Sequence, residues 1–92
     1  SNYIDDVKSM INDHIQQYSI GQKLNRKRGL VKIEITVSSN GDLVSTKDIL
    51  LSNYDSLNSR VRFAIEETKP FPPIPESLKL NSTRIIVEQR FK

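Results

Sequence analysis

Few residues in this chain have the type and spacing for chemistry. There is one histidine, His14, and no cysteine. Without thiols, no disulfide and no thiolate metal site can form. A zinc site would need several carboxylates to converge on His14, and none has suitable spacing. Asp5-Asp6 and Glu66-Glu67 fall in helix-like stretches and read as solvated faces, not as an acid–base pair. The serines lie in turn-like segments, none in a nucleophile-elbow pattern. Gly21, Gly29 and Gly41 stand apart, so there is no phosphate-cradling loop. Asn81-Ser82-Thr83 matches a glycosylation sequon, a short and unspecific pattern. His14 lies on the apolar side of its helix-like stretch and reads as a satisfied structural residue. This inventory predicts a binding module, with no enzyme activity and no cofactor.

Two charged segments remain. Lys23, Arg26, Lys27 and Arg28 form a basic cluster. It reads as a solvated loop, or as an electrostatic contact for nucleic acid, acidic lipid or an acidic partner. The net charge of +3 is a mild bias, fourteen basic residues against eleven acidic. A sheet that reads RNA would expose aromatics. Here the wet positions of the best strand are Lys32, Glu34 and Thr36, so nucleic acid is not the expected partner. The second segment is Arg84, Ile85, Ile86, Val87, Glu88, Gln89, Arg90 and Phe91. It is short and comes last in the chain. Charge on an edge strand blocks promiscuous pairing. The same edge can accept one extended peptide by strand addition.

The elements that position these segments follow from periodicity. Tyr3, Val7, Met10, Ile11, His14, Ile15 and Tyr18 recur at helical spacing, and predict a helix over 3–20 with Asn2 as its N-cap. Val31, Ile33, Ile35 and Val37 alternate with polar residues, and Asn40-Gly41 turns that strand back on itself. A hairpin over 30–51 is expected. Its return strand has two possible registers, one burying Asp48 and the other Lys47, which calls for a β-bulge of unspecified position. Ser52 with Asp55 fits a capping box, followed by a helix over 54–68 with Leu57, Val61, Ala64, Ile65 and Thr68 as its stripe. Pro70-Phe71-Pro72-Pro73-Ile74-Pro75 forbids helix and central strand alike, so 70–75 is an extended crossing. It delivers the chain to an edge strand over 83–91. In that strand Ile85, Val87 and Phe91 share one face.

The fold class is therefore α+β, in the order α-β-β-α-β. It is a three-stranded antiparallel sheet with two helices packed on one face. The strand order should be second-first-last, with the strongly alternating first strand central. Ninety-two residues make one domain, burying roughly 60–65% of its unfolded surface. No apolar run reaches the roughly 18 residues that span a bilayer.

Gly29-Leu30-Val31-Lys32-Ile33-Glu34-Ile35-Thr36-Val37 followed by Asn40-Gly41-Asp42-Leu43 resembles the G-x-V-x-V-x-F-x-V…D-G-x-V pattern of the C-terminal domains of the TonB/TolA family. Leu51-Ser52-Asn53-Tyr54-Asp55-Ser56-Leu57 stands where the family has S-S-G-x-x-x-L, with Asn53 replacing glycine. Pro70 to Pro75 is similar to the family's P-F-P-P-x-P, and the final strand ending in Phe91-Lys92 fits as well. The family's TolA branch commonly carries a cysteine pair, absent here, which favours the TonB branch. A Tyr-Pro near the domain start and a Gln-Pro-Ala stretch, both seen in TonB proteins, are missing.

The resemblance implies a periplasmic domain, 1–92, of a longer protein anchored in the inner membrane by an N-terminal helix. It implies binding of the TonB box of outer-membrane receptors; the layout of the chain, a terminal edge strand aimed by the proline crossing, makes Arg84 to Phe91 the expected pairing strand. It implies proton-motive energy delivered by ExbB and ExbD for uptake of iron-siderophore, haem or cobalamin. The alternatives are a TolA-type envelope-integrity domain binding TolB and Pal, and a small basic nucleic-acid-binding domain. The open edge allows a monomer or a strand-exchanged dimer.

Overall fold

The computed structural model describes residues 2–21 and 27–92, with the backbone alone for 18–21. Helix α1 spans Tyr3–Gly21. Its first turn is capped by Asn2, whose Oδ1 accepts the Asp5 amide at 2.9 Å. Asp5 and Asp6 sit at the positive end of the helix dipole. Strand β1 (Gly29–Ser38) and strand β2 (Leu43–Leu50) form the hairpin. Helix α2 (Asp55–Thr68), the proline crossing, a single 3-10 turn (Glu76–Leu78) and strand β3 (Ser82–Phe91) complete the chain. The sheet is antiparallel with the order β2-β1-β3, as the patterning predicts. The helical, hairpin and edge-strand bounds differ from the sequence expectations by one residue at one or both ends.

The core is a sandwich of one helical layer on one sheet face. Val31, Ile33, Ile35 and Val37 of β1 meet Ile85, Val87 and Phe91 of β3. Tyr3, Val7, Ile11 and Ile15 come down from α1, and Leu57, Val61, Ala64 and Ile65 from α2. His14, half-buried, joins the helices. Its Nδ1 lies 3.0 Å from both the Met10 carbonyl and Thr68 Oγ1. Thr68 Oγ1 donates to the Ala64 carbonyl at 2.7 Å, so both contacts require a proton on Nδ1. The structural reading of His14 fits this geometry.

Strand β2 departs from the expectation. The helices cover β1 and β3, and every β2 residue except half-buried Leu43 is exposed. Two bulges interrupt its pairing with β1. Ile49 is extra between Lys32↔Leu50 and Ile33↔Asp48, and Val44 is extra between Thr36↔Ser45 and Val37↔Leu43. Asp48 shares the helix side of the sheet with Ile33, yet it is not buried. It overhangs the core and pairs with Arg62 of α2 at 2.9 Å.

The capping box is also corrected. The N-cap of α2 is Tyr54, without a side-chain cap bond. Ser52 instead bonds buried Asn58: its amide and hydroxyl both donate to Asn58 Oδ1 at 2.8 Å, and Asn58 Nδ2 donates to the Ser52 carbonyl at 3.1 Å. Helix start signals need the serine adjacent to the first turn, and here two residues intervene.

The proline crossing is fixed by the hairpin turn. The Phe71 amide donates to Gly41 and the Ile74 amide to Ser39, each at 3.0 Å. The Tyr3 hydroxyl donates to the Pro72 carbonyl at 2.6 Å. Phe71 and Ile74 are thereby held in the core while the four prolines stay exposed.

Candidate functional site

The polarity of β3 follows from two backbone bonds. The Ser39 amide donates to the Asn81 carbonyl at 2.8 Å, and the Ser38 amide donates to the Asp42 carbonyl at 2.9 Å. Backbone groups alternate sides along a strand. Odd residues of β1 therefore bond β3, and even ones bond β2. The β1–β3 register runs from Gly29↔Phe91 to Ser38↔Ser82 without a shift. In β3 the odd residues, Thr83, Ile85, Val87, Gln89 and Phe91, thus turn their amides and carbonyls to β1. The even residues Ser82, Arg84, Ile86, Glu88 and Arg90 turn theirs to the open edge.

This divides the predicted site strand. Ile85, Val87 and Phe91 are core residues, and Gln89 is half-buried. Arg84, Ile86, Glu88 and Arg90 carry the edge-facing backbone and are exposed, the Arg90 carbonyl accepting Gln89 Nε2 at 3.2 Å. Their side chains lie on the uncovered sheet face, where Glu88 pairs with Lys32 of β1 at 3.5 Å. The pair is half-exposed and contributes less than about 1 kcal/mol.

A groove of about 440 Å³ runs beside this edge. β3 supplies Ile86, Val87, Glu88 and Gln89, and α1 supplies Lys8, Asn12 and Ile15. At the far end of the strand a second hollow, about 580 Å³, is lined by Arg28, Gly29, Leu30, Arg90, Phe91 and Lys92. Together the two linings carry four cations, Lys8, Arg28, Arg90 and Lys92, and one acid, Glu88. The charged side chains beside the edge are mostly cationic. Beneath the second hollow, buried Arg60 stacks over the Phe91 ring at 5.9 Å, and burial lowers its pKa from the ordinary value.

Of the predicted basic cluster, the two described residues, Lys27 and Arg28, meet different neighbours. Lys23 and Arg26 lie outside the described residues. Lys27 stacks over the Tyr54 ring at 5.4 Å and donates to Ser56 Oγ at 3.3 Å, on the α2 side. Arg28 lines the hollow at the end of β3. Sequence reasoning missed Lys8, Asn12 and Ile15. Their spacing puts them on one flank of α1, but only the packing of α1 against β3 brings that flank to the edge.

The sheet has a second open edge, β2, and it is the poorer template. Bulges at Val44 and Ile49 break it, and it offers adjacent Lys47 and Asp48. Bulges and charges are devices that discourage pairing. Strand β3 is ten residues long and unbroken.

Among the described residues no three His, Asp or Glu side chains come together, and no helix is long and apolar enough to cross a membrane. Element order, sheet order and the open β3 edge define a small α+β domain with a free strand beside a helix-walled groove. The family model described as TonB C terminal matches residues 1–88, and the chain belongs to that family. Among solved structures, the TonB C-terminal domain of Helicobacter pylori, determined in solution by NMR, is similar in fold. It aligns with a TM-score of 0.64 at 19% identity, over 95% of this chain and 80% of that one. No curated protein matches the chain.

Proposed function

We propose that this chain is the receptor-binding domain of a TonB-type energy transducer. It acts in the periplasm, in a protein anchored in the inner membrane and energised through ExbB and ExbD. Its partner is the TonB box, an extended segment of an outer-membrane receptor. That segment adds as a fourth strand to β3 and transmits force for uptake of iron-siderophore, haem or cobalamin. The domain holds and pulls; it catalyses nothing.

The observation that carries this reading is the β3 edge. Arg84, Ile86 and Glu88 turn their backbone donors and acceptors outward along an unshifted strand, and Arg90 turns its amide outward while its carbonyl accepts Gln89 Nε2 at 3.2 Å. Backbone pairing needs little from the partner's side chains, so one edge can serve several receptors. Family membership supports the same reading.

The test is a titration of the ¹⁵N-labelled chain with a peptide copied from the periplasmic N-terminus of a receptor of the source cell. Amide shifts concentrated in Ser82 to Lys92 are expected. Shifts confined to the N-terminal half of α1 or to Lys27 and Arg28, with β3 silent, overturn strand addition.

A further inference from the structure

Three of the exposed large apolar side chains, Ile4, Leu78 and Leu80, meet beside the start of β3. With Asn2, Tyr3, Ile74 and Thr83 they line a pocket of about 90 Å³. The lining is almost wholly aliphatic and aromatic, with room for the end of one aliphatic side chain. We propose that this pocket is an anchor site for one apolar side chain of the strand added to β3, and that α1 reads that strand along its length. The proposal rests on the strand-addition reading.

The argument is one of continuity. Thr83 belongs both to β3 and to the pocket wall, and Leu78 and Leu80 immediately precede β3. On α1, Ile4 lines the pocket, while Lys8, Asn12 and Ile15 line the groove beside Val87. These four residues are spaced four, four and three apart, so they form one stripe of the helix. The stripe flanks the open edge from its Ser82 end toward its Phe91 end. A strand paired with β3 alternates its side chains between the uncovered sheet face and this α1 wall. Those facing α1 meet an apolar pocket first, then Lys8 and Asn12, with Ile15 buried beneath.

At the far end stand Arg28, Arg90 and Lys92. Charge complementarity therefore gives the occupant a direction. Its apolar anchor lies at the Ser82 end of the edge, and an acidic residue at the Phe91 end. The pocket joins two segments that the sequence separates widely: the start of α1 and the stretch from Ile74 to Thr83. Its walls are set by core bonds, including Tyr3 to Pro72. The pocket is thus held open and in place before any ligand arrives, which lowers the ordering cost of binding.

The probes are synthetic ten-residue peptides of alternating threonine and valine, with leucine at one terminus and two glutamates at the other. They are made in both directions and titrated into the ¹⁵N-labelled chain. One direction should shift the even residues of β3 and the amides of Leu78 and Leu80 together. Replacing the peptide leucine by asparagine should weaken it about ten-fold or more, the loss expected for one buried aliphatic side chain. Leu80→Gln and Leu78→Gln, both at exposed positions, should erase the leucine preference while thermal melting stays near that of the parent. Equal affinity of the leucine and asparagine peptides, with β3 still shifting, overturns the anchor site and leaves strand addition standing. Silence of β3 toward both directions overturns strand addition and the anchor site with it.

Discussion

Phe71 and Gly41 meet backbone to backbone: the Phe71 amide donates to the Gly41 carbonyl at 3.0 Å. The contact locks the proline crossing onto the β1–β2 turn, and so aims the chain at the edge it must occupy. Gly41 has φ of +90°, and a Cβ there would sit 2.1 Å from the Phe71 carbonyl oxygen. Gly41→Ala therefore meets two obstacles. A left-handed backbone costs an L-residue about 1–2 kcal/mol. The Cβ also strikes main chain, which cannot rotate away. We expect a total loss above about 2 kcal/mol in urea denaturation. A loss under half that figure would show that the crossing is not fixed by this turn.

The unequal burial of the two hairpin strands gives a paired test. Ile35 in β1 is fully buried, whereas Ile49 at the β2 bulge is 47% exposed. Ile35→Ala should cost about 2–5 kcal/mol, because a cavity forms beneath both helices. Ile49→Ala should cost under about 0.5 kcal/mol. Comparable losses at the two positions would mean that β2 is covered by the helices in solution.

That contrast also explains what could be read from the sequence. In β1, apolar and polar residues alternate because one face is covered and the other wet, and the same physics wrote the stripes of α1 and α2. Strand β2 has no covered face. Its sequence therefore carries no period, and the register that puts Thr46 and Asp48 on the helix side holds only between the two bulges, without burying the charge. Asp48 lies at the overhang, held by Arg62, a partner fourteen residues away that no local pattern names. Ser52 looked like a helix cap, yet its hydroxyl and amide were claimed by Asn58. The predicted β3 strand was legible as a strand. Which of its residues face the edge was not, because that depends on the phase of hydrogen bonding set at Ser39 and Asn81. The groove wall on α1 was equally hidden, since helical spacing does not say which strand a flank will meet.

Tyr3 predicts an alkaline weakness. Burial raises its phenol pKa above the ordinary 10.0. The folded state thus holds the proton more tightly than the unfolded chain. Stability from this group is fully present below pH 10.0 and declines as pH rises through the folded-state value. In Tyr3→Phe this part of the pH dependence should vanish. The substitution should itself cost about 0.5–1.5 kcal/mol at neutral pH, through loss of the bond to Pro72. Urea midpoints measured from pH 8 to 11 check both effects. A parent and variant with parallel profiles above pH 10 would refute the assignment.

The phase of β3 makes the sharpest functional prediction. Ile86 turns its amide to the open edge, whereas the odd residue Gln89, three positions on, turns its amide to β1. Proline lacks that donor and is tolerated at sheet edges only where the lost amide faced outward. Ile86→Pro should therefore keep the fold, with a melting transition still cooperative and backbone shifts of β1 largely unchanged. Gln89→Pro removes a bond inside the sheet and leaves a carbonyl of β1 unpaired. It should lose more than about 1 kcal/mol of stability. Binding should respond in the opposite sense. Ile86→Pro takes a donor from the middle of the docking edge and sets a ring against the incoming strand. Affinity for a receptor-derived peptide should fall about ten-fold or more, since a lost bond leaves the peptide carbonyl without a partner. Ile86→Val, which keeps the amide, should bind like the parent and separates the backbone effect from the side chain. A folded Ile86→Pro chain that binds the peptide as tightly as the parent would exclude β3 as the docking edge.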